Sequence, residues 1–96
     1  MYYIVSKSRG SCVPSKKIYQ VPYLNVAVVL VDELCEQGSF NPHYGDDEII
    51  TVDEWGVEVD RRVHLRGSVV SGWMNVPARP RVNLHLFNMV QAWNKD

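Results

Sequence analysis

The chain has 96 residues and only two cysteines, Cys12 and Cys35, with neither a CxxC spacing nor a Cys or His cluster beside them. A zinc ribbon and a disulfide framework are therefore not expected, and both read as reduced thiols, Cys35 as a filler of the core. Long apolar runs are also missing. The longest, Val26 to Val31, is far short of the ~20 residues a spanning helix needs. The N-terminal stretch MYYIVSKSRG lacks the basic-then-apolar order of a secretory signal, so an intracellular, cytoplasmic protein is expected. No G-x-S-x-G, P-loop, GxGxxG or HExxH pattern occurs. The expectation is a protein that is not an enzyme, with no catalytic residues, no cofactor and no metal.

What is scarce in one region is abundant in the next. Residues 1–31 carry four bases (Lys7, Arg9, Lys16, Lys17) and no acid, whereas residues 32–60 carry ten acids and no base. From residue 61 onward the sign reverses, with Arg61, Arg62, Arg66, Arg79, Arg81 and Lys95 against Asp96 alone. The formal net charge of −1 thus conceals three blocks of alternating sign, and a block of one sign steers partners of the other.

With 46% hydrophobic and 22% charged residues, the composition is that of an ordinary globular domain, and the length suits a single domain over residues 1–96. Its organising stretch is Pro22 to Gly38, PYLNVAVVLVDELCEQG. Wrapped on a helix, Leu24, Ala27, Val28, Val31, Leu34 and Cys35 share one face, and Asn25, Asp32, Glu33 and Glu36 take the other. Pro22 suits a first turn, Asn25 is an alternative cap and Gly38 can end the helix. The competing reading is a buried strand over Val26 to Val31, since four of those six residues are β-branched valines.

Tyr2 to Lys7 and Lys17 to Val21 read as a hairpin with a long connection punctuated by Gly10 and Pro14. Ser39 to Asp47 is a loop rich in turn residues. Glu48 to Val52 reads as a strand, Asp53 to Gly56 as a turn, and Val57 to Leu65 as an alternating strand. Val57, Val59, Val63 and Leu65 lie on one side of it, Glu58, Asp60, Arg62 and His64 on a wet side, and Arg61 intrudes among the apolar positions. Ser68 to Met74 reads as a short edge strand weakened by Gly72, and Asn75 to Arg81 as a stiff connector with two prolines. In Val82 to Trp93 the positions Val82, Leu86, Met89, Val90 and Trp93 form a helical stripe. The order ββαββ(β)α implies an α+β fold with one antiparallel sheet of four to five strands and two helices.

Three constellations carry chemistry. His43, Asp46, Asp47 and Glu48 have the donor types of a divalent-metal loop, but without EF-hand spacing or its central glycine. Glu58 and Asp60 put two carboxylates on one strand face without the lysine that a nuclease needs. Arg61, Arg62 and Arg66, with Arg79, Arg81 and Trp73, offer a basic surface to nucleic acid, against which stand a pI near 6.3 and the acidic block.

The reading that uses most of the sequence is a small protein-binding module. Its acidic surface, Asp32, Glu33, Glu36, Asp46, Asp47, Glu48, Asp53 and Glu54, with Trp55 as an exposed anchor, contacts a basic partner. Such a block can imitate phosphate and occupy the basic groove of a nucleic-acid-handling complex, as compact inhibitors encoded by phages and mobile elements do. An anti-CRISPR-type anti-defence protein is the sharpest version. The alternatives are a nucleic-acid binder using the Arg61, Arg62 and Arg66 face, and a metal-dependent enzyme centred on residues 43–48.

Overall fold

The structure, a computed structural model, describes residues 1–7, 16–37, 48–64, 72–81 and 83–94, with backbone alone for 16–18. Its elements follow in the order β1 (Tyr2–Lys7), β2 (Lys16–Val21), α1 (Leu24–Glu36), β3 (Glu48–Val52), β4 (Glu58–His64), β5 (Trp73–Val76) and α2 (Leu84–Asn94). The strands form one antiparallel sheet in the order β2-β1-β3-β4-β5. The expected α+β class is what the chain adopts.

The two helices take opposite faces of this sheet. Successive side chains of a strand point to opposite sides, so Tyr3, Val5, Ile50 and Val52 meet Leu86 and Val90 of α2, with Trp93 packed alongside. Ile4 and Ile49 meet Ala27 and Val31 of α1, with Leu34, Cys35 and Trp73 at the margin. Being covered on both sides, Tyr3 to Ser6 and Glu48 to Val52 are buried without a break. A strand buried on both faces needs a continuous apolar run rather than alternation. Each fully buried Ile or Val contributes about 1.5–3 kcal/mol.

The valine-rich stretch is a helix because its apolar positions recur every three to four residues. Ala27 and Val31 are fully buried and Val28, Leu34 and Cys35 half-buried, whereas Val29 is exposed. A strand buried on both faces would have hidden Val26 and Val29 as well, and both are exposed. The ends differ from expectation: Tyr23, extended at φ −127 and ψ 143, is the N-cap, with no side-chain bond, and Gln37 is the C-cap. Pro22 therefore precedes the helix, Asn25 lies within it, and Gly38 is outside the described residues. In α2 the cap is made by a side chain, since Asn83 Oδ1 accepts from the backbone N–H groups of His85 at 2.9 Å and Leu86 at 3.3 Å. That bond satisfies two N–H groups that have no partner within the helix.

Two strand expectations need correction. β5 covers Trp73–Val76, so Asn75 and Val76, expected in the connector, pair with Arg62 and Arg61. Pro77 explains the stop: the residue before a proline is held extended, and the proline itself has no N–H to donate. In β4 the expected alternation fails because the register shifts between Thr51 and Val52, placing Thr51 opposite Asp60 but Val52 opposite Glu58. One extra residue, Val59, is absorbed as a bulge. Glu58 thereby moves to the face of Val52 and Arg61, opposite to Asp60, so the supposed pair of carboxylates on one face does not exist. Nor is one side of β4 wet, for Glu58, Arg61 and Arg62 are all buried.

Candidate protein-interaction surface

The acidic and basic blocks of the sequence meet inside the fold. Arg61, 4% exposed, donates from Nη1 to Glu58 Oε1 at 2.6 Å and from Nη2 to Glu48 Oε2 at 2.8 Å. Lys7 Nζ stands 3.3 Å from the same Glu48 oxygen. The other Glu58 oxygen accepts from the backbone N–H of Arg79 at 2.8 Å, which fastens the connector after β5 to β4. All of these side chains lie on the α2 side of the sheet. Burying charge is costly unless partners and hydrogen bonds are complete, and the forked guanidinium supplies both of its carboxylates at once.

Arg62, 7% exposed, does the corresponding work on the α1 side. Its Nε reaches Asp60 Oδ2 at 3.2 Å and its Nη1 bonds Asp32 of α1. Burial alone pulls the Arg62 guanidinium down, but the bonds and charges of Asp32 and Asp60 outweigh it and leave it above its ordinary value. Next to this pair Cys35 is half-buried, and desolvation pushes its thiol up to about 11, against the opposing pull of Arg62. A thiol held protonated is a poor nucleophile.

The 53–56 turn is the second feature. Asp53 Oδ1 accepts from the N–H groups of Trp55 at 2.9 Å and Val57 at 3.0 Å, and Gly56 N–H donates to Asp53 O at 3.0 Å. Gly56 has φ +77, and a Cβ placed there would stand 2.5 Å from the Phe87 backbone nitrogen. Only glycine permits both the left-handed backbone and this close approach to α2. Gln91 Nε2 adds a bond of 3.2 Å to Glu54 O. On this fixed turn Trp55 remains 60% exposed.

The residues expected to form one acidic surface are therefore divided. Asp32, Glu33 and Glu36 lie on the C-terminal half of α1, exposed to solvent, with Asp32 tied to Arg62. Asp53, Glu54 and Trp55 belong to a turn that packs on α2, in the opposite layer. Glu48 is a correction: at 6% exposure and bonded to Arg61, it cannot face a partner. Asp53 spends its carboxylate on its own turn. His43, Asp46, Asp47 and Arg66 lie outside the described residues, and among the described ones no group of His, Cys, Asp and Glu is arranged to hold a metal ion. Arg61 and Arg62, expected at a solvated basic surface, are buried because the neighbouring strand and helix supply their carboxylates.

One exposed residue escaped the sequence reading. Leu84, in the first turn of α2, is 71% exposed. Its position off the stripe of Leu86, Met89, Val90 and Trp93 was the signal that could have found it. No helix among the described residues is long and apolar enough to cross a membrane. Comparison with known proteins adds no relative, since no protein-family model, no curated protein and no solved structure matches this chain.

Proposed function

We propose that this protein is a small, non-enzymatic binding module that inhibits a nucleic-acid-handling complex by laying the acidic end of α1 into a basic groove. A phage or mobile-element anti-defence protein of the anti-CRISPR type is the specific form of this reading. What supports it is the charge arrangement of α1. The helix has no acid in its first turn and no base in its last, while Asp32, Glu33 and Glu36 crowd the C-terminal half, the negative pole of the helix dipole. Asp32 is compensated by Arg62. Glu33 and Glu36 are exposed and have no ion pair among the described residues. Carboxylates set against the dipole cost stability, and a partner with basic side chains gives that cost a purpose. The rival nucleic-acid reading is weakened, since Arg61 and Arg62 have their donors committed inside the fold.

The test has two steps. Mobility-shift assays with wild-type protein and duplex DNA, at low and moderate salt, are expected to show no binding, and tight salt-sensitive binding overturns the proposal. Proteins of a cell extract are then retained on immobilised DNA. Wild-type protein is expected to elute a defined subset, and the Glu33→Lys, Glu36→Lys variant to elute none of it. Equal elution by both removes the acidic end of α1 from the interface.

A further inference from the structure

Trp55 and Leu84 are the two most exposed large apolar side chains in the 48–94 half of the described chain, at 60% and 71%, and the packing of the 53–56 turn on α2 brings their stretches of backbone together. The link is Gly56. Its backbone packs on that of Leu86 and Phe87, so Trp55, one residue before this contact, and Leu84, two residues before it on the helix, emerge beside the same junction. Neither exposure is an accident of loose structure. Trp55 stands on a turn closed by Asp53 and braced by Gln91, and Leu84 follows the side-chain cap of Asn83.

We infer that Trp55 and Leu84 form a convex anchor that enters an apolar pocket on a protein partner, with a lysine or arginine of that partner meeting Glu54 at the rim. A fixed, solvent-exposed tryptophan costs little entropy to bury and delivers a large contact area, which is why this residue is enriched at interaction hot spots. The charge beside it selects the partner class. Glu54 is exposed and immediately precedes Trp55 in the turn, and a carboxylate at that position disfavours the anionic surfaces of nucleic acid and of acidic membranes. It favours a cation, which can bond the carboxylate and lie against the indole face together. A knob also needs a concave receiver, and apolar pockets lined with polar rims are the form in which proteins supply one. The inference stands on its own residues, in the layer opposite to the acidic end of α1, and does not depend on the inhibitor reading.

The experiment places a photo-crosslinking amino acid, p-benzoylphenylalanine, at position 55 of the full chain in cells that produce it, with the same probe at exposed Val29 on α1 as a reference. The expected result is a crosslink specific to position 55. Its attachment site on the partner should map to an apolar segment with Lys or Arg in the same pocket. Leu84→Asp is expected to lower the yield at least tenfold, the scale of a hot-spot loss, and Glu54→Lys to lower it as well. Glu33→Lys, Glu36→Lys should leave this crosslink in place, so failure of the α1 reading and failure of the anchor are separable. The anchor is overturned by crosslinks indistinguishable from those at position 29, by crosslinks to a second copy of the chain, or by an attachment site lined with acids. Co-sedimentation of wild-type protein with phosphatidylcholine–phosphatidylglycerol vesicles, lost in Trp55→Ala, overturns it too. Denaturant midpoints for Trp55→Ala and Leu84→Asp are expected to match wild type, since both side chains are mostly solvated.

Discussion

Arg61 and Arg62 are adjacent in sequence, equally buried, and opposite in what they hold together. Arg61 points to the α2 side and, among the described residues, bonds groups carried by strands, Glu48 of β3 and Glu58 of β4. Arg62 points to the α1 side and spans two layers, from Asp60 in the sheet to Asp32 on the helix. The first is sealed, with all three side chains under 10% exposed, whereas Asp32 is half open to solvent at 52%. Screening by water weakens an ion pair in proportion to its exposure, so the two arginines should differ in what their loss costs.

Breaking the comparison outright means removing each guanidinium. Arg61→Ala leaves two buried carboxylates without their shared partner and is expected to destabilise the fold by about 3–5 kcal/mol. Arg62→Ala strands only Asp60 in a buried setting and should cost about 1–3 kcal/mol. Urea midpoints measured side by side decide it, and equal losses would show that sealing of the Arg61 network adds nothing.

A smaller effect sharpens the contrast on the α1 side. Val31 is fully buried against Ile4 and Ile49, whereas Val28 on the same helix is half-buried. Val31→Ala should cost about 1–3 kcal/mol, with Val28→Ala clearly below it, because a cavity forms only where no solvent can enter. Matching thermal or denaturant midpoints for the two would contradict this placement of α1 on the sheet.

The smallest expected change runs in the opposite direction. Glu33→Gln and Glu36→Gln remove uncompensated charge from the negative end of α1 and should each stabilise the protein by about 0.3–1 kcal/mol at low ionic strength. Salt should shrink the gain, as screening does for exposed charges. A loss of stability would mean that these carboxylates already have partners within the fold.

Much of the architecture was legible because it follows from local spacing. The periodicity of Ala27, Val28, Val31, Leu34 and Cys35 against the unbroken run Ile49 to Val52 separates helix from strand, and Gly56 marks the turn after β3, whereas the edge strand was expected to end at Met74 and ends at Val76. The candidate surface was less legible. The alternating charge blocks look like steering fields when read along the chain, yet Lys7, Glu48, Glu58, Asp60, Arg61 and Arg62 neutralise one another across the sheet. A charge block in sequence is a statement about neighbours in the chain, and only pairing across strands tells whether its carboxylates see water.

By itself, then, the sequence determined the kinds and order of the elements and the helix positions that meet the sheet, Ala27, Val31, Leu86 and Val90, since hydrophobic period and turn chemistry are properties of short segments. Tertiary structure alone decided which face each polar residue occupies. A single bulge at Val59 inverts the side of Glu58, because side chains along a strand alternate with a period of two and one inserted residue reverses the positions on one side of it relative to those on the other. The same long-range placement set Gly56 against Phe87 and so brought the backbone around Trp55 to that around Leu84, 29 positions away in the chain.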